Sequence, residues 1–265
     1  MKASATAGVG EDRWAAALLP ARLGLLVLLL AVWELGHRLL GTAYIAEPFE
    51  VAVRIVASAF NGTLWPDVGA TLLATGLGLA IGWLLGFGVA VVLDRSPRAA
   101  AALEPWILVA MGVPLFALIP LVILWFGIGI TPKVVIVVSM VFFIAFVTTL
   151  SGLRSIDRRL LDMARVLGAT PRQLTAKVSR QAILPHLFAG LKIAVPRAIS
   201  AAIVGEFLVA DRGLGYAINQ ARQTVDPVGV FAGIVVVTLL VSLGDMLLGR
   251  LQRHAFAWQS GAGAL

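Results

Sequence analysis

No cysteine occurs among the 265 residues, which removes disulfides, thiolate metal sites and a cysteine nucleophile together. Histidine is almost as scarce: His37, His186 and His254 lie far apart and none stands in a metal-ligand spacing, so no metal site is expected. Charge is thin as well. Only 13% of residues are charged against 60% hydrophobic, with mean hydropathy +0.95, a balance that a water-soluble domain could not cover with polar surface. There is no Gly-Lys pair and hence no P-loop to hold nucleotide phosphates. A G-x-S-x-G elbow, an H-E-x-x-H helix and an evident acid pair are missing too, which speaks against an intramembrane enzyme.

What the chain does have is apolar length, and it reads as an integral membrane protein. Crossing about 30 Å of hydrocarbon takes about 20 helical residues. Runs of that length occur six times, near 18–36, 68–93, 103–127, 133–152, 187–209 and 229–249. The first is not read as a signal peptide, because Glu11 and Asp12 precede it and its exit "WELGHRLLG" offers no small-x-small cleavage site. The net charge of +7 and pI near 10.8 come from basic residues in short loops, so membrane orientation explains them and no nucleic-acid partner is expected. Thirteen Lys and Arg fall on the side of the termini against five on the other, which puts both termini in the cytoplasm. Arg22, Lys192 and Arg197 lie inside or at the edges of spans, where they snorkel or face the bundle interior. The organisation that follows is a cytoplasmic tail, first span and outer amphipathic segment over 1–66, a core over 67–253 containing a loop at 154–185, and a cytoplasmic tail over 254–265.

Small residues mark the second span. Ala70, Ala74, Gly78, Gly82, Gly86 and Ala90 recur every four residues, which lays one helix face nearly bare for close packing. "GLGLAIG" within it follows no strand and is read as packing rather than a dinucleotide-binding loop. In the third span, Pro114 and Pro120 each free a carbonyl about one turn back. That carbonyl either lines a polar path or is absorbed in a kink. Glu206, near the outer end of the fifth span, is either functional or a snorkelling or capping acid. Asp245 and Glu34 read as interfacial.

The loop "LLDMARVLGATPRQLTAKVSRQAILP" between spans four and five carries Arg165, Arg172, Lys177 and Arg180. Leu160, Leu161, Ala164 and Leu167 share one helical stripe and Gly168 allows a turn. Thr170-Pro171 then reads as a helix start, hydroxyl first and proline at the first helical position. Leu174, Val178 and Ala182 stripe the second helix. Such a pair either lies on anionic lipid or docks a cytoplasmic partner.

The loop resembles the cytoplasmic signature of ABC importer permease subunits: Glu-Ala-Ala, three residues, Gly, nine residues, then Ile-x-Leu-Pro. Here Asp162-Met163-Ala164 precedes Gly168, followed at the same spacing by Val178-Ser179-Arg180-Gln181. The acid, the second alanine and the glycine match, while the first alanine and the proline do not. "PLFALIPLVILWFGIGITPK", the acid of "VGEF" and "GLGYAI" look, in that order, like the nitrate/sulfonate/taurine branch. The resemblance implies an all-α, type I importer permease in a bacterial inner membrane, with Asp162, Met163, Ala164, Leu167 and Gly168 as the coupling helix. It further implies two cytoplasmic ATPase subunits holding ATP-Mg, a second permease copy and a periplasmic binding protein received by the 38–66 and 211–228 loops. Pro114, Pro120 and Glu206 are the expected path residues, the cargo a small and often anionic solute. A stand-alone secondary transporter or channel is the alternative. "EPFEVAVRIVASAF" reads as a short outer amphipathic helix and Asn61-Gly62-Thr63 as a turn.

Overall fold

The computed structural model describes residues 7–170, 173, 180–209 and 211–255, and these are helical with no strand among them. In chain order the helices are α1 (Ala7–Leu40), α2 (Pro48–Phe60), α3 (Leu64–Arg95), α4 (Pro97–Met111), α5 (Ile119–Phe126), α6 (Ile130–Arg154), α7 (Arg158–Val166), α8 (Arg180–Val209), α9 (Leu214–Gln223) and α10 (Pro227–Ala255). A 3-10 turn, Leu115–Leu118, joins α4 to α5. Among the described residues five apolar helical stretches are each long enough to cross a membrane: Leu23–Leu40, Leu64–Arg95, Ile130–Arg154, Gln181–Leu208 and Pro227–His254.

The third expected span is present in a different form. Instead of one kinked helix over 103–127, α4 and α5 meet at an 87° bend and make a span only as a broken pair. The prolines are starts rather than kinks. Gly112 caps α4, Pro114 holds extended backbone (φ −68°, ψ 96°) and Pro120 occupies the first turn of α5, where its missing N–H costs nothing. The outer loop at 211–228 contains the ten-residue helix α9. The amphipathic segment is a helix as expected, α2, and the turn at Asn61-Gly62 follows it with Gly62 at φ +78°.

The core is a slab of three long helices. α3 and α6 run parallel, their registers set by glycine: Gly78 sits on Val137, Gly82 on Val138 and Val141, and Gly86 on Phe142, Ala145 and Phe146. With Ala74 and Ala90 also buried, the four-residue stripe becomes the contact face. Lipid is as apolar as leucine, so close van der Waals contact rather than the hydrophobic effect holds these helices together. α8 lies antiparallel on the same slab, with Gly152 of α6 against Ile183 and His186, Gly190 against Thr148 and Trp83, and Gly205 against Ile136 and Lys133. α1 stands outside it, tied by Trp33 Nε1 donating to the Ala46 carbonyl at 3.0 Å and by Trp33 stacking on Phe231 at 5.5 Å between centroids.

Candidate functional site

At the end of the slab where α6 finishes, α7 is a short helix defined by its stops. Asp157 opens it, its Oδ1 accepting from the Arg159 amide at 2.8 Å. Gly168 closes it at φ +84°. The Ala169 amide donates to the Ala164 carbonyl at 3.0 Å and the Gly168 amide to that of Arg165 at 2.9 Å, which is the Schellman arrangement. Immediately afterwards Thr170 and Gln173 form a capping box: the Thr170 amide donates to Gln173 Oε1 at 2.8 Å and the Gln173 amide to Thr170 Oγ1 at 3.3 Å. The T-x-x-Q spacing carried that signal in the sequence, where the threonine and proline are read but the glutamine is not. Pro171, Arg172, Leu174, Lys177, Val178 and Ser179 lie outside the described residues, as do the side chains of Leu160, Leu161 and Arg180.

A stop at Gly168 and a start at Thr170, separated by Ala169 alone, leave the turn little freedom. Gly168→Val, a β-branched side chain at φ +84°, is expected to destabilise it by about 1–2 kcal/mol, read as faster tryptic cleavage after Arg165 with membrane insertion unchanged.

The sequence-derived coupling residues are brought together on α7 and its exit. Asp162 pairs with Arg165 at 2.8 Å, a contact between two exposed groups that adds little stability. Met163, Val166 and Leu167 are 58%, 88% and 78% exposed, at i, i+3 and i+4, and form an apolar face; Ala164 is half-buried behind it. Val166, which sequence reasoning passes over, is the most exposed of the three.

At the opposite end Glu206 is buried, 1% exposed, and its carboxylate is engaged. Thr71 Oγ1 donates to it at 2.9 Å and the Gly215 amide donates to Oε2 at 2.9 Å. The Leu214 amide donates to Thr71 Oγ1 at 2.9 Å and the Gly213 amide to Asp67 Oδ1 at 2.9 Å. The three amides at the N-terminus of α9, which have no partner inside the helix, are thus satisfied by side chains of α3 and α8, and the two carboxylates complement the helix dipole. A Cβ at Gly213 would enter the Glu206 carboxylate and one at Gly215 would meet the Ile203 carbonyl, so this seat accepts glycine alone. The geometry is that of the capping acid. Lys133 completes the cluster: counted among the outer positive charges from sequence, it is 3% exposed, with Nζ donating to the Arg212 carbonyl at 3.1 Å.

Pro114 and Pro120 do not join Glu206, whose hydrogen-bond partners all belong to α3 and α9. Both are exposed at the α4–α5 break. Beside it a cavity of about 340 Å³ is lined by Leu85, Val113, Leu115, Ser139, Phe142 and Phe143. On the α2 and α9 side, a groove of about 390 Å³ is lined by Arg54, Asp67, Tyr216, Gln220 and Asp226, with Arg54 and Asp226 paired at 2.9 Å across its rim.

Residues 78–256, from the glycine stripe through α7 and α9, match the family described as binding-protein-dependent transport system inner membrane component. The chain belongs to that family. This ABC importer permease subunit is 32% identical over 234 residues to the formylaminopyrimidine transport permease protein ThiX of Halalkalibacterium halodurans, covering 88% of this chain and 93% of that one. It is 33% identical to the riboflavin transport system permease protein RibX of Chloroflexus aurantiacus (93% and 92% covered) and 29% identical to the taurine transport system permease protein TauC of Escherichia coli (89% and 88% covered). Its fold matches the MetNI methionine ABC transporter in an inward-facing conformation, with TM-score 0.63 at 22% identity over 72% of this permease and 95% of that chain. The all-α type I importer architecture expected from the loop signature is therefore the one the permease has.

Proposed function

We propose that this permease forms the translocation path of an ATP-driven importer for a small solute. It works as a pair with a second copy of itself, in a bacterial inner membrane with both termini cytoplasmic. Two cytoplasmic ABC ATPase subunits bind and hydrolyse ATP-Mg, and a periplasmic binding protein delivers cargo to the face carrying α2 and α9. The observation that carries the reading is the apolar face of α7, Met163, Val166 and Leu167, exposed among the described residues on a helix stopped rigidly at both ends. A face of that kind outside the hydrocarbon calls for a protein groove, and the family supplies one on the ATPase. Closure of the ATPase pair displaces α7 and rocks the slab between inward- and outward-open states. Relatives named for formylaminopyrimidine, riboflavin and taurine transport support a small organic solute as cargo, and among such solutes we favour an anion.

The double variant Met163→Asp/Leu167→Asp tests this. Membrane insertion is expected to persist, whereas copurification with the ATPase is lost and ATP-dependent uptake falls by about thirtyfold or more, as expected when two anchors of an interface are charged. Unchanged uptake in that variant, or uptake by the permease with no ATPase subunit present, would overturn the assignment in favour of a stand-alone carrier.

A further inference from the structure

An ionised side chain near the middle of a membrane span has to be matched by a counter-ion, by backbone or by water, because hydrocarbon does not tolerate it. α8 carries two. Its apolar stretch runs Gln181–Leu208, with Lys192 eleven residues from one end and Arg197 eleven from the other. At about 1.5 Å per residue each lies about 16 Å from its nearer end, close to the midplane of a hydrocarbon layer about 30 Å thick.

Both cations are exposed and neither takes part in an ion pair among the described residues, so what separates them is the side of α8 that each occupies. Gly244 of α10 packs against α8, where a Cβ on it would lie 3.2 Å from Val195 and 3.9 Å from Ile199. α10, with its exposed Asp245, therefore covers the side of α8 that Val195 and Ile199 occupy. Lys192, three residues before Val195, shares that side. Arg197 is two residues from each and so about 160° round the helix from α10. The slab face of α8 is a separate one, where Ala194, Ala198, Ala201 and Ala202 are fully buried. Arg197 belongs to a third stripe with Ile193 and Ser200, at i, i+4 and i+7, and all three are exposed. Among the described residues its guanidinium takes part in no ion pair or hydrogen bond.

The surroundings of this stripe are polar in a way lipid would not reward. Pro196 has no N–H to give the Lys192 carbonyl, which leaves a backbone acceptor at the same depth, and Ser200 Oγ turns back to the Pro196 carbonyl at 3.0 Å. Ile119 and Val122 of α5 share one buried cluster with Ala194 and Ala198, so the turn that presents Arg197 rests on the same core as the broken α4–α5 span. An uncompensated charge, a freed carbonyl and a broken span together describe a wall of a water-filled passage.

We propose that Arg197 faces the translocation path and is a specificity residue that selects solutes bearing an oxyanionic group, a carboxylate or a sulfonate, over neutral ones. The assignment rests on the permease reading above, including its anionic cargo, and adds to it the residue that reads that charge. A guanidinium offers a planar fork of donors that matches two oxygens of such a group. Lying alone on its stripe in this chain, it draws an anion in without a second cation to trap it, the balance that passage requires.

The lack of native cysteine makes the test clean. Ser200→Cys, assembled with its ATPases in proteoliposomes, is treated with sulfonatoethyl methanethiosulfonate, itself a small sulfonate, and separately with the trimethylammonioethyl reagent. Each labelling rate on this chain is divided by that at Thr63→Cys in the exposed outer turn. We expect both reagents to label Ser200→Cys, with the normalised rate of the anionic one about threefold to tenfold above that of the cationic one, the factor a unit charge several ångströms away produces in a wet pore. The preference disappears in Ser200→Cys/Arg197→Gln and survives in Ser200→Cys/Arg197→Lys. If Ser200→Cys is unreactive in a complex that still couples ATP hydrolysis to uptake, or if the preference ignores Arg197, this inference is overturned while the permease reading stands. Failure of the wild-type chain to assemble with any ATPase would instead overturn the permease reading.

Discussion

Gly86→Leu is expected to remove folded permease from the membrane fraction. A Cβ at this position would meet the Phe142 carbonyl, with the Ala145 Cβ at 2.8 Å and the Phe146 amide nitrogen at 2.9 Å, so two of the three obstacles are backbone that no rotamer change can clear. Forcing extra methylenes into a packed contact costs about 1–3 kcal/mol even where side chains can yield; here α3 and α6 have to separate. The loss propagates, because α8 is seated on the slab those two helices make. Gly88→Leu, on the same helix with nothing within 4 Å of an added Cβ, is the control and should accumulate normally. Equal yield and equal thermal unfolding of the two variants in detergent would show that the four-residue stripe is not what joins these helices.

The second large effect concerns Glu206. Truncation in Glu206→Ala leaves the Gly215 amide and the Thr71 hydroxyl without their buried acceptor, at about 1–3 kcal/mol for each orphaned group. The expected sum makes α9 detach before the rest of the molecule unfolds. Glu206→Gln keeps one carbonyl oxygen as acceptor but aims an NH₂ at another donor, so its penalty is smaller though still measurable. Hydrogen exchange at Gly213, Leu214 and Gly215 reports this directly: protection should fall by tenfold or more in Glu206→Ala, given that about 1.4 kcal/mol is one decade, with Glu206→Gln in between. If uptake is lost while those amides stay protected, Glu206 serves transport rather than anchoring α9.

The parts of this molecule legible in its sequence are those specified by local periodicity. A face of small residues at every fourth position predicts the α3–α6 contact, because in lipid nothing but close approach distinguishes a helix's packed side. A glycine after an amphipathic stretch, followed by threonine and proline, predicts the α7 turn. Other features depend on partners distant in the chain. α9 is a polar ten-residue segment whose amides are capped by Asp67, Thr71 and Glu206, the first two more than 140 residues earlier, and nothing within the segment announces that. Lys133 reads as a loop charge until the Arg212 carbonyl is brought to it. The bend at Pro114 was accessible in principle: Gly112, Pro114 and Pro120 within nine residues are a stop and two starts, but inside a continuous apolar run hydropathy outvotes them.

The position of α7 gives α6 the part of a lever. Only Ser155, Ile156 and Asp157 separate the two, and the last residue of α6, Arg154, is clamped to Glu104 of α4 by two hydrogen bonds of 2.8 and 2.7 Å. From there α6 runs 25 residues, about 37 Å, so that a tilt of about 5° at one end sweeps the other by about 3 Å. At that far end stands Lys133, holding the Arg212 carbonyl beside the seat of α9. On the coupling we propose, a stroke delivered at α7 is carried along α6 and arrives at its far end as displacement, and the glycines that press α6 against α3 keep the rod from bending under the load.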